Sequence, residues 1–232
     1  MILFCAGIVA LLLAFVVPQI TEIFQKQGVP LPAPTQLVIF ASELCKSSVF
    51  WIMFIATTLL ANFSLKKYVA TEKGRMNIDR IKLKLPIIGP IILKIGTSRL
   101  SRNLGTMLES GIQLLNGLSI SKNIVGNAVL EEAVENAAIG VKEGRSLAKE
   151  LDKAKVFPKL LIHMCAIGEK TGSLDSMLKR AATSYENEVD SLISGLTSIL
   201  EPILIIVLAG IVGIIIASVM LPMLELTSFA GL

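Results

Sequence analysis

The chain has 232 residues, of which 53% are hydrophobic and 17% are charged, and its formal net charge is +4 at pH 7. This composition is too apolar for an ordinary soluble domain and too charged for a chain that lies wholly within a membrane. The three cysteines, Cys5, Cys45 and Cys165, lie far apart, which excludes a disulfide framework and a cysteine-based metal site. We therefore predict a chain divided between membrane spans and a water-exposed domain.

The first predicted element is a transmembrane helix over residues 1–17, which is apolar throughout and is ended by Pro18. A signal peptide is the alternative, but no basic residue precedes the apolar run and no small-residue cleavage site follows it. The run is short for a span, so we expect the natural chain to begin further upstream. Residues 18–47 then form a nearly neutral, proline-interrupted loop.

The second predicted span covers residues 48–65, with Trp51 near its outer end, where an indole favours the membrane interface. From Lys66 to Arg102 there are ten basic residues against two acidic ones. Basic residues crowded after a span favour the cytoplasmic side over the alternative of a nucleic-acid surface. The loop 18–47 is then predicted to lie outside the cytoplasm.

Residues 66–201 are predicted to form a cytoplasmic helical bundle. Apolar residues recur at helical spacing over 91–108, 130–141 and 160–167. Glycines that tolerate a left-handed conformation follow these stretches, at Gly111, Gly144 and Gly172. From Ser173, a favourable N-cap, a fourth stretch continues without proline as far as Pro202, and we predict that it runs into the last span.

The third predicted span is 202–225, because Ile203 to Leu224 contains no charged side chain and is long enough to cross a bilayer. The tail 226–232 would lie outside the cytoplasm. Small residues line one face of this span and are candidates for close helix packing, within or between protomers: Ala209, Gly213 and Ala217. The predicted class is an all-α integral membrane protein with three transmembrane helices and a cytoplasmic helical bundle.

One turn is specific enough to indicate a family. Gly168 to Leu178 reads Gly-Glu-Lys-Thr-Gly-Ser-Leu-Asp-Ser-Met-Leu, a helix end followed by a capped helix start. With Leu85-Pro86-Ile87-Ile88-Gly89-Pro90 and Glu201-Pro202, it resembles the type II secretion protein F family of type II secretion and type IV pilus assembly. The motif residues are Gly168, Glu169, Thr171, Gly172, Ser173, Leu174 and Asp175. Larger members carry a related cytoplasmic domain before the first span, so this chain is similar to a single-domain version or a C-terminal portion.

Within this motif, the position of Glu169 is not explained by the helix corner alone. A carboxylate in the last turn of a helix faces the negative end of the helix dipole, which is unfavourable unless a cation or donor answers it. We predict that Glu169 pairs with Lys170, Arg99 or Arg102, or with a partner protein. Asp175, in the first turn of the following helix, has the favourable dipole position.

The resemblance implies a multimeric platform in the bacterial inner membrane that couples a cytoplasmic hexameric ATPase to insertion of pilin or pseudopilin subunits into a filament. Arg99 and Arg102 are candidate ATPase-docking residues. The implied partners are that ATPase, the pilin-like subunits, other inner-membrane components, membrane lipid and further copies of the chain, with no nucleic acid bound directly.

Two other function classes are less favoured. The sequence has no Walker-type phosphate loop, no metal-ligand cluster and no nucleophile–histidine pair, so we expect no enzyme, cofactor or metal. His163, the one histidine, is expected to be structural. A small transporter or channel subunit is the alternative, but the apolar stretches 1–17, 48–65 and 203–224 contain no charged residue that would mark an ion path.

Overall fold

The computed structural model describes Gly7 and residues 48–230. The rest of the predicted first span and the loop 18–47 lie outside the described residues. The chain divides into two compact units, one formed by Met1–Phe63 and Leu196–Leu232 and the other by Ser64–Gly195. Throughout the described residues the regular elements are helices, with no strand, which confirms the predicted all-α class.

Eight α-helices follow one another in residues 48–230. They are α1 (Ser48–Val69), α2 (Glu72–Lys84), α3 (Ile88–Glu109), α4 (Leu114–Ser121), α5 (Ala128–Lys142), α6 (Leu147–Ala154), α7 (Lys159–Thr171) and α8 (Leu174–Ala230), with a 3-10 turn at Lys122–Ile124. Three of the predicted helix stops are confirmed by glycines with φ of 81°, 82° and 71°, namely Gly111, Gly144 and Gly172. The predicted continuous last helix is confirmed as well, since α8 runs through Pro202.

The first unit contains α1 as far as Phe63 and α8 from Leu196 onward. Many of its described apolar side chains are exposed, among them Ile52, Leu59, Phe63, Ile206 and Ile214. By length and composition, one helical stretch among the described residues, Leu174–Ile214, could cross a membrane. The three-span arrangement stays a prediction.

The second unit, Ser64–Gly195, is built around one apolar core to which α3 to α8 contribute. Its most deeply buried leucines are Leu100, Leu104, Leu118, Leu130, Leu147, Leu151, Leu161 and Leu178. Burial of one such side chain stabilises a fold by about 1.5–3 kcal/mol. Because these leucines come from six successive helices, the core fixes the positions of the turns between them.

The helices α3 and α8 lie antiparallel along each other in this unit. Three ion pairs connect them, Lys94–Glu188, Arg102–Glu186 and Lys179–Glu109. Gly105 allows the close approach, because a Cβ atom there would lie 3.0 Å from the carbonyl oxygen of Asp175. The early part of α8 is thereby held along most of the length of α3.

Asp79 of α2 closes the N-terminus of α5. The side chain is only 8% exposed, and its Oδ2 accepts a hydrogen bond of 2.9 Å from the backbone N–H of Ala128. Its Oδ1 accepts one of 2.9 Å from the Lys82 ammonium. Burial acts to raise the pKa of Asp79, but the Ala128 N–H and Lys82 outweigh it and leave this pKa below its ordinary value.

This cap predicts a pH-dependent stability. A folded-state pKa that is lowered contributes stability above the unfolded value, and this contribution is lost as pH falls through the folded pKa. We expect Asp79→Asn to cost about 2 kcal/mol of unfolding free energy near neutral pH. The difference from the parent should shrink as pH falls below about 4, the ordinary pKa of an aspartate, and through the lowered folded-state pKa. Thermal unfolding followed by circular dichroism measures it, with the exposed Asp152→Asn as control; a pH-independent difference would contradict the cap.

Candidate functional site

The motif Gly168–Asp175 forms the corner between α7 and α8. The helix α7 ends at Thr171, and Gly172 adopts the left-handed conformation with φ 71° and ψ 15°. The backbone N–H groups of Gly172 and Ser173 both donate to the carbonyl oxygen of Gly168. Two otherwise unpaired donors are satisfied in this way, so the chain can reverse within a few residues.

Two hydroxyl groups brace the corner. Thr171 Oγ1 donates to the carbonyl oxygen of Ile167 at 2.9 Å, and the hydroxyl oxygens of Thr171 and Ser173 lie 2.6 Å apart. Because Thr171 uses its one proton on Ile167, Ser173 is the donor in the second bond. The helix α8 begins at the next residue, Leu174, and Asp175 lies in its first turn, where the helix dipole favours a carboxylate.

Gly168 lets the two helices meet closely. A Cβ atom at this position would lie 2.7 Å from the Cα atom of Leu174 and 3.2 Å from its backbone nitrogen. Gly168 has ordinary helical backbone angles, so glycine is required here by the lack of room for a Cβ atom and not by an unusual φ. Gly172 has the opposite requirement, because a Cβ there would meet open space but would strain a positive φ.

Glu169 caps the start of a third helix, α6. Its Oε1 accepts the backbone N–H of Leu147 at 2.5 Å, and its Oε2 accepts the hydroxyl of Ser146 at 2.5 Å and the N–H of Ala148 at 3.4 Å. A carboxylate at a helix N-terminus is favoured by the dipole and by the unpaired N–H groups there. The motif thus joins α6, α7 and α8.

The predicted ion pairs of Glu169 with Lys170, Arg99 or Arg102 are therefore wrong, because its partners in the chain are donors at the N-terminus of α6. The alternative of pairing with a partner protein stays a prediction. The carboxylate does have hydrogen-bond donors, as expected, but they belong to Ser146, Leu147 and Ala148. The physical reason is that the N-terminus of α6 supplies two backbone N–H groups and the Ser146 hydroxyl at once, while Arg102 is bonded to Glu186.

Arg102 lies in the interface between α3 and α8. Its guanidinium donates to the carboxylate of Glu186 and, at 2.9 Å, to the hydroxyl of Thr183. The hydrogen bond from Arg102 lowers the pKa of Glu186 below its ordinary value. Arg99 is exposed on the same helix, where its Nη1 lies beside Gly126.

A cysteine and a histidine side chain lie on α7, the helix that ends at the corner. Cys165 is buried in α7, and burial, together with the charge of Glu169, raises the pKa of its thiol to about 12. His163 is exposed on the same helix. No group of three His, Cys, Asp or Glu side chains suited to a metal occurs among the described residues.

Residues 100–222 match the family described as type II secretion system (T2SS), protein F. The chain belongs to this family. It is 38% identical to the type IV pilus assembly protein PilC of Thermus thermophilus, over 96% of this chain and 55% of that protein. It is 34% identical to the type II secretion system protein F of Aeromonas hydrophila, over 99% of this chain and 59% of that protein. For the protein PilC of Pseudomonas aeruginosa the identity is 37%, over 96% and 59% of the two chains. The chain spans a little over half the length of these relatives.

Membership of the T2SS protein F family confirms the resemblance seen in the motif. The matched segment begins at Leu100 in α3 and ends at Pro222 in α8. It contains the whole corner, the ion pairs Arg102–Glu186 and Lys179–Glu109, and most of the apolar part of α8. The small residues Ala209, Gly213 and Ala217 lie in this last part and are exposed. Their role in helix packing stays a prediction.

The sequence indicated a turn at Ser146 and Leu147 but did not connect these two residues with Glu169. Ser146 follows Gly144 closely and is a good N-cap residue, so a helix start could have been found there. The hydrogen bond from Ser146 to Glu169 could not be predicted from the sequence, because it joins residues 23 apart in the chain.

Proposed function

We propose that this T2SS protein F chain is a platform component of a type II secretion or type IV pilus machine in the bacterial inner membrane. In this function it couples a cytoplasmic assembly ATPase to the insertion of pilin or pseudopilin subunits into a filament. Relatives named for each of the two machines support both forms of the proposal. The chain acts through its partners and without catalytic chemistry of its own.

The observation that carries the proposal is the continuity of α8. This helix starts at the family corner, is tied to α3 by three ion pairs, and continues without a break into its apolar part. Because the bundle part and the apolar part belong to one helix, a partner that acts on the bundle would act through α8 on whatever its apolar residues contact. Such a connection suits a protein that transmits motion rather than one that processes a substrate.

The proposed topology places 66–201 in the cytoplasm and 1–17, 48–65 and 202–225 in the membrane. The crowding of basic residues after Lys66 supports this orientation. The exposed apolar side chains of α1 and of the later part of α8 support their contact with lipid or with other apolar helices. The ridge formed by Ala209, Gly213 and Ala217 would receive a pilin-like helix or a second copy of the chain.

The ATPase-docking proposal is tested most cleanly at Arg99. Arg102 is committed to Glu186, so its replacement would disturb the interface of α3 and α8 as well as any docking. Arg99 is exposed and takes part in none of the three ion pairs between α3 and α8. We expect Arg99→Glu to weaken binding of the cognate assembly ATPase about tenfold at low salt, and less at high salt.

The measurement is binding of the purified ATPase to the full chain in lipid nanodiscs by biolayer interferometry. Arg180→Glu, an exposed arginine on α8, is the matched control and should leave the affinity unchanged. Equal affinities of the parent and Arg99→Glu at low salt would remove Arg99 from the docking surface. Absence of any binding by the parent chain would contradict the proposed function itself.

A further inference from the structure

A basic surface lies on the outer side of α2. Lys73, Asn77, Arg80 and Lys84 follow one another at intervals of four, three and four residues, so they share one helix face, and all four are exposed. We call this set the α2 face. Within the part of the chain that the structure describes, no carboxylate pairs with its three cations.

The other cations of α2 behave differently. Arg75 pairs with Glu131 of α5 at 2.5 Å, and Lys82 pairs with Asp79 at 2.9 Å. These two turn toward the bundle and are neutralised there. The unpaired charge of α2 is therefore concentrated on the side that the bundle leaves free, where it would attract an anionic surface.

An apolar corner adjoins the α2 face, and we call it the apolar tip. It consists of Ile81, Leu85, Ile87 and Ile88, which are 61%, 40%, 61% and 49% exposed. Two backbone hydrogen bonds hold the tip in one shape. The N–H of Leu85 donates to the carbonyl oxygen of Lys82, and the N–H of Gly89 donates to the carbonyl oxygen of Leu85. A groove of about 390 Å³ continues the apolar surface, lined by Leu83, Gly89, Pro90, Leu93, Val156 and Pro158 together with Lys94.

The α2 face is also fixed beside the end of α1. The side-chain amide of Asn77 donates to the hydroxyl of Tyr68 at 3.5 Å, and Thr71 Oγ1 donates to the Tyr68 carbonyl oxygen at 2.7 Å. Tyr68 directly follows Lys66 and Lys67. Tyrosine and lysine at the end of an apolar helix are typical of a membrane interface.

We propose that the α2 face and the apolar tip together bind the surface of the membrane leaflet at the Lys66–Lys67 end of α1, through anionic phospholipids. The three cations would contact lipid phosphates, and the isoleucines of the tip would enter the boundary between headgroups and acyl chains. This inference rests on the proposed placement of α1 in the membrane and does not depend on the role in secretion or pilus assembly.

Lipid fits this surface better than an acidic protein for two reasons. The cations and the protruding apolar side chains alternate within a short segment, as they do in helices that lie in a membrane interface. The hydrogen bond between Tyr68 and Asn77 also keeps the surface next to the residues where α1 would leave the bilayer. The leaflet would then hold one end of the bundle in a defined orientation.

The test uses the full chain in nanodiscs with nitroxide-labelled lipid and a fluorescent probe on a single introduced cysteine. Cys5 and Cys45 are replaced by serine, and the buried Cys165 is kept. Probes are placed by Ile87→Cys in the tip, by Ile139→Cys as a control of similar exposure on α5, and by Leu59→Cys within α1. Discs of phosphatidylcholine alone are compared with discs that also contain phosphatidylglycerol.

We expect quenching at Ile87→Cys to exceed that at Ile139→Cys at least about threefold in phosphatidylglycerol discs, and to fall in phosphatidylcholine discs. The combined reversal Lys73→Glu, Arg80→Glu and Lys84→Glu should abolish the excess, since each cation near an anionic surface favours binding about fivefold. The matched reversal Lys142→Glu, Lys149→Glu and Lys153→Glu, at exposed residues of α5 and α6, should leave it unchanged.

Quenching at Leu59→Cys distinguishes the placement of α1 in the membrane from the lipid contact of the apolar tip. Strong quenching there, with Ile87→Cys no different from Ile139→Cys, would overturn the lipid contact and leave the placement of α1 standing. Weak quenching at Leu59→Cys would contradict the placement of α1 and remove the ground for the contact. Excess quenching at Ile87→Cys that survives the α2 reversal would overturn the role of the three cations.

Discussion

Glu169→Gln is expected to lower the free energy of unfolding by about 2 kcal/mol, because a charged acceptor that serves several donors is lost at a helix N-terminus. In the structure the carboxylate binds the Ser146 hydroxyl and the N–H groups of Leu147 and Ala148. An amide keeps only one acceptor oxygen and turns its NH₂ group toward these donors. Chemical unfolding of the detergent-solubilised chain, followed by circular dichroism, measures the loss.

Lys170→Gln is the matched control, since it removes a charge from the neighbouring residue without touching the cap. The helix-cap account predicts a change within about 0.5 kcal/mol for this exposed lysine. Equal losses in the two variants would instead favour the ion pair that the sequence suggested. Ser146→Ala should cost about 1 kcal/mol, less than Glu169→Gln, because the backbone N–H groups keep their bonds to the carboxylate.

Gly168→Ala is expected to cost about 3 kcal/mol, the upper part of the range for overpacking. The added methyl group would lie 2.7 Å from the Cα atom of Leu174, and a backbone atom cannot move aside as a flexible side chain can. The start of α8 would have to shift relative to α7. The same unfolding experiment measures the effect, and we expect the variant to be produced at a lower level in the membrane.

Gly172→Ala is the comparison variant within the same motif. Its methyl group would meet open space, so only the left-handed φ of 71° is strained, at about 1–2 kcal/mol. The predicted order of stability is therefore parent, Gly172→Ala, Gly168→Ala. The reverse order of the two variants would mean that the corner depends on backbone freedom rather than on the close contact of α7 with α8.

The sequence predicted the local features of the fold well. The ends of α3, α5 and α7 depend on glycines within a few residues, and the long course of α8 depends on the lack of proline before Pro202. The bounds of the short helices α2, α4 and α6 were not predicted. They bury only a few residues each, so their apolar periodicity is brief.

The contacts of the candidate site could not be predicted in the same way. Glu169 with Leu147, Asp79 with Ala128 and Arg102 with Glu186 join residues 22, 49 and 84 apart in the chain. Each depends on which helices pack together, and periodicity does not specify that choice. The family motif pointed to the correct corner, while its physical explanation, a junction of three helices, required the structure.

The proposed function depends on the side of the membrane that holds the helical bundle. Labelling in spheroplasts with a membrane-impermeant maleimide tests it directly, using Lys153→Cys for the bundle and Thr35→Cys for the loop 18–47, each in a chain with Cys5 and Cys45 replaced by serine. We expect Thr35→Cys to react in intact spheroplasts and Lys153→Cys to react only after the membrane is permeabilised. Reaction of Lys153→Cys in intact spheroplasts would place the bundle outside, where no cytoplasmic ATPase could reach it, and would contradict the platform function.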